Sequence, residues 1–233
     1  ATANLNPIAS QAGRATRGSA LALLGKVHLY QEEFEDAATQ LQTVISEGQY
    51  DLFSDITSLF LNQNENSFES VFEIQYSNTQ GASFECLQCS EGNVMIGFSG
   101  VRGYSGPVYA SGFSFNIPRQ ELVDYFETGD LRLEATILEI DEWIIENPGT
   151  EDDPTTFVPG FDHTGYFNNK YIPRQSDSGL GDVNLTYPNN IRQIRYSDVL
   201  LMAAEALNRG GGDDAQALAY VNQVRARAGL ANL

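Results

Sequence analysis

Basic residues are scarce in this chain. Its 233 residues include 13 lysines and arginines against 31 aspartates and glutamates, which gives a formal net charge of −18. Nucleic-acid binding and docking on an anionic membrane face both need a surplus of lysine and arginine. The composition therefore argues against both functions. A strongly acidic surface instead suits a protein that stays soluble in an extracellular or saline setting.

The chain also lacks a long apolar run and a secretory leader. No segment approaches the length that spans a bilayer. The first residues, ATANLNPIASQAGRATRGS, contain no basic start followed by an apolar stretch. Residue 1 is not methionine, and the sequence stops shortly after a strong helical pattern. We therefore expect an internal fragment of a longer protein.

Cysteine and histidine are rare. Cys86 and Cys89 form a C-x-x-C motif, but the glycine, serine and asparagine around it are typical of a loop, not of the helix start in thioredoxin-like motifs. Zinc would need two further ligands, and the two histidines, His28 and His163, are distant in sequence. We expect incidental thiols or a local disulfide, and we assign no metal site and no cofactor.

Apolar residues recur at helical spacing near both ends of the chain. Residues 13–47 predict a helical hairpin with the spacing of a tetratricopeptide repeat, in which the small residues Gly25 and Ala37 let two helix backbones approach. His28 lies on the inward face of this hairpin and is expected to pack there. Residues 197–230 predict a second, degenerate hairpin, with Ser197 as the cap of its first helix and Asp213 or Asp214 as the cap of its second.

The middle of the chain has another character. Residues 67–190 predict a long loop-rich region that contains a short strand at 67–76 and a short helix from Pro118. The predicted fold is therefore mainly α, a single domain over 1–233 in which helical hairpins are the scaffold. Loops of this length in a compact protein are usually functional.

Acidic residues cluster in the segment from Glu121 to Asp153, which holds twelve carboxylates and one arginine, Arg132. A glycoside hydrolase needs two carboxylates that face a scissile bond, and the alternative is a solvated acidic surface. We assign no catalytic residue. Ca²⁺ is conceivable at Glu151 and its two acidic neighbours, but the regular D-x-D-x-D-G loop is absent.

Aromatic residues are abundant on the irregular segments. Rings in such positions stack on the apolar faces of ligands, including the C–H faces of sugars, and the alternative is that they fill the core beneath long loops. Tyr104, Tyr109, Trp143 and Tyr166 are the residues that we select for ligand stacking, because of their aromatic chemistry and their location in loops.

Several stretches together resemble the SusD/RagB family of outer-membrane nutrient-binding lipoproteins. They run in family order over nearly the whole chain: GRATRGSALALLGKVHLY, EEFEDAATQLQTVISEGQYDL, ESVFEIQY, FNIPRQELVDYFETGDLRLEATI, NKY, NIRQIRYSDVLLMAAEALN and ALAYVNQVRARAGL. The family's N-terminal lipoprotein signal, anchoring cysteine and early repeats do not occur in this sequence, and neither does its usual C-terminal continuation.

The resemblance implies a tetratricopeptide-like scaffold with a variable, loop-rich face and a non-catalytic role. Members capture oligosaccharide, or in some cases peptide, at the cell surface. The implied partner is a SusC-like TonB-dependent outer-membrane transporter, with membrane attachment only through an N-terminal lipid anchor. The alternatives are a peptide-binding member, a glycoside hydrolase that uses the acidic segment 121–153, and a repeat adaptor that binds only protein.

The stretch NIRQIRYSDVLLMAAEALN contains a cluster that resembles a catalytic set. Arg192, Arg195, Tyr196 and Asp198 lead directly into an apolar helix, whose first N–H groups need acceptors. We predict a structural role, in which Arg195 pairs with a nearby carboxylate and Tyr196 packs its ring against the facing helix.

Overall fold

The computed structural model describes residues 4–81, 83–86, 89, 91–177 and 181–233. The sequence suggests one domain, whereas the chain contacts divide it into two compact units. The first unit comprises residues 1–56, 65–74 and 191–233, and the second comprises residues 57–64 and 75–190.

The first unit is built on the two predicted helical hairpins. Helices α1 (Arg17–Tyr30) and α2 (Phe34–Ser46) form the first hairpin, and α7 (Tyr196–Arg209) and α8 (Asp214–Arg227) form the second. Both predictions are confirmed. Their apolar faces meet in one core that includes Leu41, which is fully buried.

Close packing inside the first hairpin explains the small residue at position 25. A Cβ atom added to Gly25 would lie 2.5 Å from Cγ of Leu41 on the facing helix, well inside contact distance. The predicted reason for Gly25 is therefore confirmed, and Leu41 is the residue that it accommodates. Ala37 is fully buried on the same helix as Leu41.

The capping of the second hairpin corrects one prediction. Asp213 caps α8 as expected, because its carboxylate accepts hydrogen bonds from the backbone of residues 215 and 216. Ser197 is not the cap of α7, since that helix begins one residue earlier. Its hydroxyl donates to the carboxylate of Glu69 at 3.0 Å. Arg195 is the N-cap residue of α7, and its backbone N–H donates to the carboxylate of Asp198 at 2.8 Å.

A two-stranded antiparallel sheet completes the first unit. Strand β1 (Ser70–Ile74) confirms the predicted strand and pairs with β4 (Ile191–Arg195), which runs directly into α7. The sequence did not indicate β4. Glu73 lies opposite Arg192 in the register of the pair.

The sheet brings buried charges together. The fully buried carboxylate of Glu69 lies 2.8 Å from Nη1 of Arg227 and 3.3 Å from Nη1 of Arg195. It also accepts the backbone N–H of Phe53 at 2.7 Å. Buried carboxylates require such partners, because an unpaired buried charge is strongly unfavourable. The predicted pairing of Arg195 is confirmed, and Tyr196 is buried in the helical core.

The second unit carries short elements joined by long irregular segments, as predicted. Its helices are α3 (Val94–Ser99), α4 (Gln120–Asp124), α5 (Arg132–Thr136) and α6 (Ile140–Glu146), and its strands β2 (Ile137–Glu139) and β3 (Tyr166–Asn168) form an antiparallel pair. Among the described residues, no helix is long and apolar enough to cross a membrane.

The rare residues have local partners. Cys86 and Cys89 form a disulfide with a Cα–Cα distance of 5.3 Å, which is one of the two expected states. His28 is half-buried, and its Nδ1 lies 2.6 Å from Oε2 of Glu33.

Candidate functional site

The four selected aromatic residues all lie in the second unit, and the structure brings their elements together. The expected loop location is wrong for Trp143, which is on α6, and for Tyr166, which begins β3. Tyr104 and Tyr109 do lie on an irregular segment, the one after α3. The positions of rings on an irregular segment cannot be predicted from helical periodicity, because such a segment has no repeating pattern.

Trp143 is fixed by Tyr104. The indole Nε1–H donates to the Tyr104 hydroxyl at 3.0 Å, and that hydroxyl donates to the carbonyl oxygen of Pro107 at 2.7 Å. Tyr104 itself is only 6% exposed and belongs to the core of the unit. Since its ring is covered by protein, it holds Trp143 in place and offers no free face.

Tyr109 supports the same indole from another side. The two ring centroids lie 4.9 Å apart with an interplanar angle of 62°, an edge-to-face arrangement that aromatic quadrupoles favour. The Tyr109 hydroxyl donates to Oδ1 of Asn169 at 3.3 Å, and Nδ2 of Asn169 donates to the backbone oxygen of Glu134 at 2.9 Å. Tyr109 is 5% exposed, so nearly all of its ring is covered by protein.

Both tyrosines stay protonated at neutral pH. Burial raises the pKa of the Tyr104 phenol, which the hydrogen bond from Trp143 partly opposes. Burial also raises the pKa of Tyr109; Arg174 opposes this shift, and Tyr104 and Glu134 add to it. The phenols therefore act as neutral hydrogen-bonding groups that keep the indole in one orientation.

Tyr166 is positioned by a strand pair. It lies opposite Glu139 in the register of β2 and β3, and its hydroxyl donates to Oε1 of Gln120 at 2.8 Å. The residue is half-buried, so part of its ring remains accessible.

A cavity of about 690 Å³ opens beside these rings. Three of the four selected residues, Tyr109, Trp143 and Tyr166, line it, and Tyr104 lies behind Trp143. This volume is in the range of known small-ligand sites. The remaining lining residues are Val123, Phe126, Glu127, Thr128, Gly129, Asp130, Leu131, Leu133, Glu134, Ile137, Leu138, Glu139, Glu142, Glu146 and Asn169.

The acidic segment found in the sequence contributes the polar part of the cavity wall. Six carboxylates line it, namely Glu127, Asp130, Glu134, Glu139, Glu142 and Glu146. Asp130 is buried and bound by the guanidinium of Arg132, whose Nη2 lies 2.6 Å from Oδ2. Burial raises the pKa of Glu139, and the negative charges of Glu142 and Asp141 raise it further.

Sequence reasoning missed Asn169 and the apolar part of the wall. Asn169 links Tyr109 to the backbone of Glu134 and therefore joins the two sides of the cavity. Val123 and Phe126 lie in the segment predicted as a short helix, of which α4 contains Val123, but nothing local indicated that they line the same cavity as Trp143. An asparagine in an NKY stretch between loops was the one signal that could have suggested a polar contact.

Within the described ranges, one group of side chains has a spacing that suits a metal ion. Ligand atoms of His28, Glu33 and Asp36 lie within 4.8 Å of one another. The group is in the first unit, and Glu33 and Asp36 are exposed. Exposed acidic groups of this kind are common without a metal, so we assign it no function.

Comparison with known proteins gives a consistent result. A family model described as the SusD family matches residues 147–233. A curated relative, "SusD-like protein P2" of Formosa agariphila, is 29% identical over 221 residues, which cover 92% of this chain and 42% of the relative.

Solved structures are similar over the whole chain. A "Laminarin binding SusD-like protein" has a TM-score of 0.87 and 37% identity, over 100% of this chain and 52% of that one. "Surface glycan-binding protein A from Bacteroides thetaiotaomicron in complex with laminarihexaose" has a TM-score of 0.84 and 28% identity, over 98% and 51%. The chain therefore spans about half the length of the proteins it matches.

Proposed function

Since this chain belongs to the SusD family, we propose that it supplies a glycan-binding site to a longer, non-catalytic surface protein. The binding site is the cavity beside Trp143 in the second unit. The observation that carries the proposal is the aromatic wall of this cavity, in which buried tyrosines hold Trp143 in one orientation.

The rings have separate roles in this proposal. Trp143 and Tyr166, both half-buried, stack on the C–H faces of sugar rings. Tyr109 contributes a ring edge to the cavity and supports Trp143, and Tyr104 is a positioning residue beneath the indole. The carboxylates accept hydrogen bonds from the sugar hydroxyl groups, and the amide of Asn169 has both a donor and an acceptor for them.

The ligand class is supported by the nature of the wall. A pocket that combines aromatic faces with several acceptors suits a molecule with alternating C–H and O–H surfaces, which is the chemistry of a sugar. Structures similar to this chain are described as binding laminarin or laminarihexaose. A peptide is the alternative ligand, and it would satisfy the same aromatic faces.

We propose that binding occurs without catalysis. The structures that the chain resembles are described as binding proteins. A hydrolase remains the competing hypothesis because carboxylates of segment 121–153 line the cavity, and because the pKa of Glu139 is raised, the direction that a general acid requires. Shortened products after incubation with a glycan, lost on Glu139→Gln, would overturn the non-catalytic proposal.

The biological setting follows from the family. We propose that the longer protein is held on the outer face of the outer membrane by an N-terminal lipid anchor and delivers its glycan to a SusC-like TonB-dependent transporter. An adaptor that binds only protein would use the helical hairpins and leave the cavity empty. Binding of a glycan to the cavity separates these two roles.

Retention in native gels that contain laminarin tests the proposed function. The unmodified chain should be slowed, and Trp143→Ala and Tyr166→Ala should each weaken retention about tenfold, the size of a lost stacking contact. Tyr30→Ala is the matched control, because Tyr30 is 79% exposed on α1 in the first unit. Retention that survives both cavity variants, or no retention in any neutral glycan of a panel, would contradict the proposal.

A further inference from the structure

We infer that the cavity selects neutral glycans and rejects anionic ones, such as sulfated or uronic-acid polymers. This inference rests on the proposed function, because it concerns the ligand of the same cavity. The inferred selectivity depends on the charges of the lining residues, whereas the aromatic rings do not discriminate between neutral and anionic sugars.

The charge of the cavity wall has one sign. Six of the lining residues carry carboxylates, and none of the described lining residues is a lysine, arginine or histidine. Recognition of sulfate or carboxylate groups relies on arginine or lysine, which bond their oxygens and neutralise the charge. The described wall offers an anionic sugar no such partner.

Two arginines contact lining residues without lining the cavity themselves. Arg132 binds the buried carboxylate of Asp130 through both Nε and Nη2. Arg174 lies over the ring of Tyr109, with its Cζ 5.8 Å from the ring centroid, and it is not one of the residues that line the cavity. Asp130 is thereby paired, and no lysine or arginine is among the described residues that line the cavity beside Glu134, Glu139, Glu142 and Glu146.

Glu134, Glu142 and Glu146 are well placed to accept hydrogen bonds from sugar hydroxyl groups. All three residues are exposed, and each ionised carboxylate is an acceptor only, with room for more than one hydroxyl donor. A neutral sugar supplies those donors. A sulfate ester in the same position supplies acceptors and a like charge, so it loses the hydrogen bond and meets repulsion.

Crowding of the carboxylates strengthens the discrimination. Six carboxylates share this wall, and the charges of Glu142 and Asp141 add to the effect of burial in raising the pKa of Glu139. A further anion from the ligand adds to the same repulsion. Charge repulsion at a solvated site is screened by salt, whereas stacking and neutral hydrogen bonds respond little.

The test compares laminarin with sulfated laminarin of the same chain length on the whole 233-residue chain. At low salt the neutral polymer should bind at least about tenfold more tightly than the sulfated one. The reason is the repulsion between a sulfate group and a carboxylate of the wall a few ångströms away, which weakens binding of the sulfated polymer. Added salt should narrow the gap by improving the affinity of the sulfated polymer. The triple variant Glu134→Gln, Glu139→Gln, Glu142→Gln should reduce the gap to about threefold or less.

A second triple variant distinguishes the effect of the carboxylates in the cavity wall from the effect of the net charge of the whole chain. Glu151→Gln, Asp152→Asn, Asp153→Asn removes the same charge from exposed residues of the same unit that do not line the cavity. It should keep the discrimination of the unmodified chain.

The outcomes are distinct. Sulfated laminarin that binds as tightly as laminarin, or an equal loss of discrimination in both triple variants, would overturn the inference and leave glycan binding intact. Failure of the unmodified chain to bind either polymer would overturn the proposed function together with this inference.

Discussion

The indole nitrogen of Trp143 lies 3.0 Å from the hydroxyl oxygen of Tyr104. This hydrogen bond joins helix α6 to the irregular segment after α3. Through this bond a buried tyrosine sets the orientation of the residue that we propose to contact the ligand. The orientation of Trp143 thus depends on a side chain that does not itself reach the cavity.

Tyr104→Phe tests this relationship. The substitution removes the acceptor of the indole N–H and the donor to Pro107, so we expect weaker laminarin binding, by about threefold to tenfold, and a loss of about 1 kcal/mol in the free energy of unfolding. Native-gel retention and urea unfolding measure the two effects. Tyr125→Phe is the matched control, because Tyr125 is 85% exposed and should change neither. Unchanged binding by Tyr104→Phe would contradict the positioning role.

Arg195 is expected to affect stability more than binding. Arg195→Ala leaves the buried carboxylate of Glu69 with one of its two arginine partners. Breaking a buried ion pair lowers the free energy of unfolding by about 3 kcal/mol. Thermal unfolding should show a clear fall in Tm while laminarin retention stays close to normal. In contrast, Arg209→Ala removes an arginine from exposed pairs with Glu32 and Glu205 and should cost about 1 kcal/mol or less. A larger effect of Arg195→Ala on binding than on Tm would make Arg195 part of the site.

Gly25 is expected to tolerate no side chain. Gly25→Ala gains about 1 kcal/mol in helix propensity. It also places a Cβ 2.5 Å from the branch point of Leu41, and overpacking of this kind costs about 1–3 kcal/mol. The net result should be a less stable first hairpin. Gly160→Ala should be neutral, because nothing lies within 4 Å of its added Cβ. Urea unfolding of both variants decides the matter, and a stabilised Gly25→Ala would refute the close packing.

Tyr187 makes the fold sensitive to alkaline pH. It is fully buried, and burial, followed by the charge of Asp177, raises the pKa of its phenol from 10 to about 12. Because the pKa of Tyr187 is higher in the folded chain than in the unfolded chain, its protonation contributes stability that is fully present below pH 10. That stability is lost between pH 10 and about 12, where the unfolded chain releases its proton first, at about 1.4 kcal/mol per pH unit.

Tyr187→Phe removes this titration. The variant should lose less stability than the unmodified chain between pH 10 and 12, measured by urea unfolding at each pH. At neutral pH it should be as stable or slightly more stable, because the Tyr187 hydroxyl has no hydrogen-bond partner among the described residues. Identical pH profiles for the two proteins would show that another group controls alkaline unfolding.

The parts of the fold that were predicted are those with local causes. Helical periodicity and small residues at fixed spacing indicated both hairpins, and the Asp213 cap follows from its position before α8. Strand β4 was missed because its five residues run directly into α7, and only its distant partner β1 reveals it as a strand. For the same reason Ser197 was misassigned, since its acceptor Glu69 lies far away in sequence.

The candidate site was predictable in composition and not in arrangement. Aromatic chemistry and an expected loop location selected Tyr109, Trp143 and Tyr166, which line the cavity, although Trp143 is on a helix and Tyr166 on a strand. The same criteria could not distinguish them from Tyr104, because burial depends on contacts between segments that are remote in sequence. The acidic segment also had two open interpretations, and six of its twelve carboxylates line the same cavity as the aromatic rings.

Fluorescence of Trp143 tests the central proposal most directly. It is the one tryptophan of the chain, so its emission reports on the cavity alone. Titration with laminarin should change the intensity and wavelength of the emission along a saturable curve, and the midpoint should agree with the affinity from gel retention. In Tyr166→Ala the midpoint should move to a concentration about tenfold higher, in agreement with the weaker retention. Laminarin binding that leaves the emission of Trp143 unaltered would place the glycan elsewhere and contradict the account.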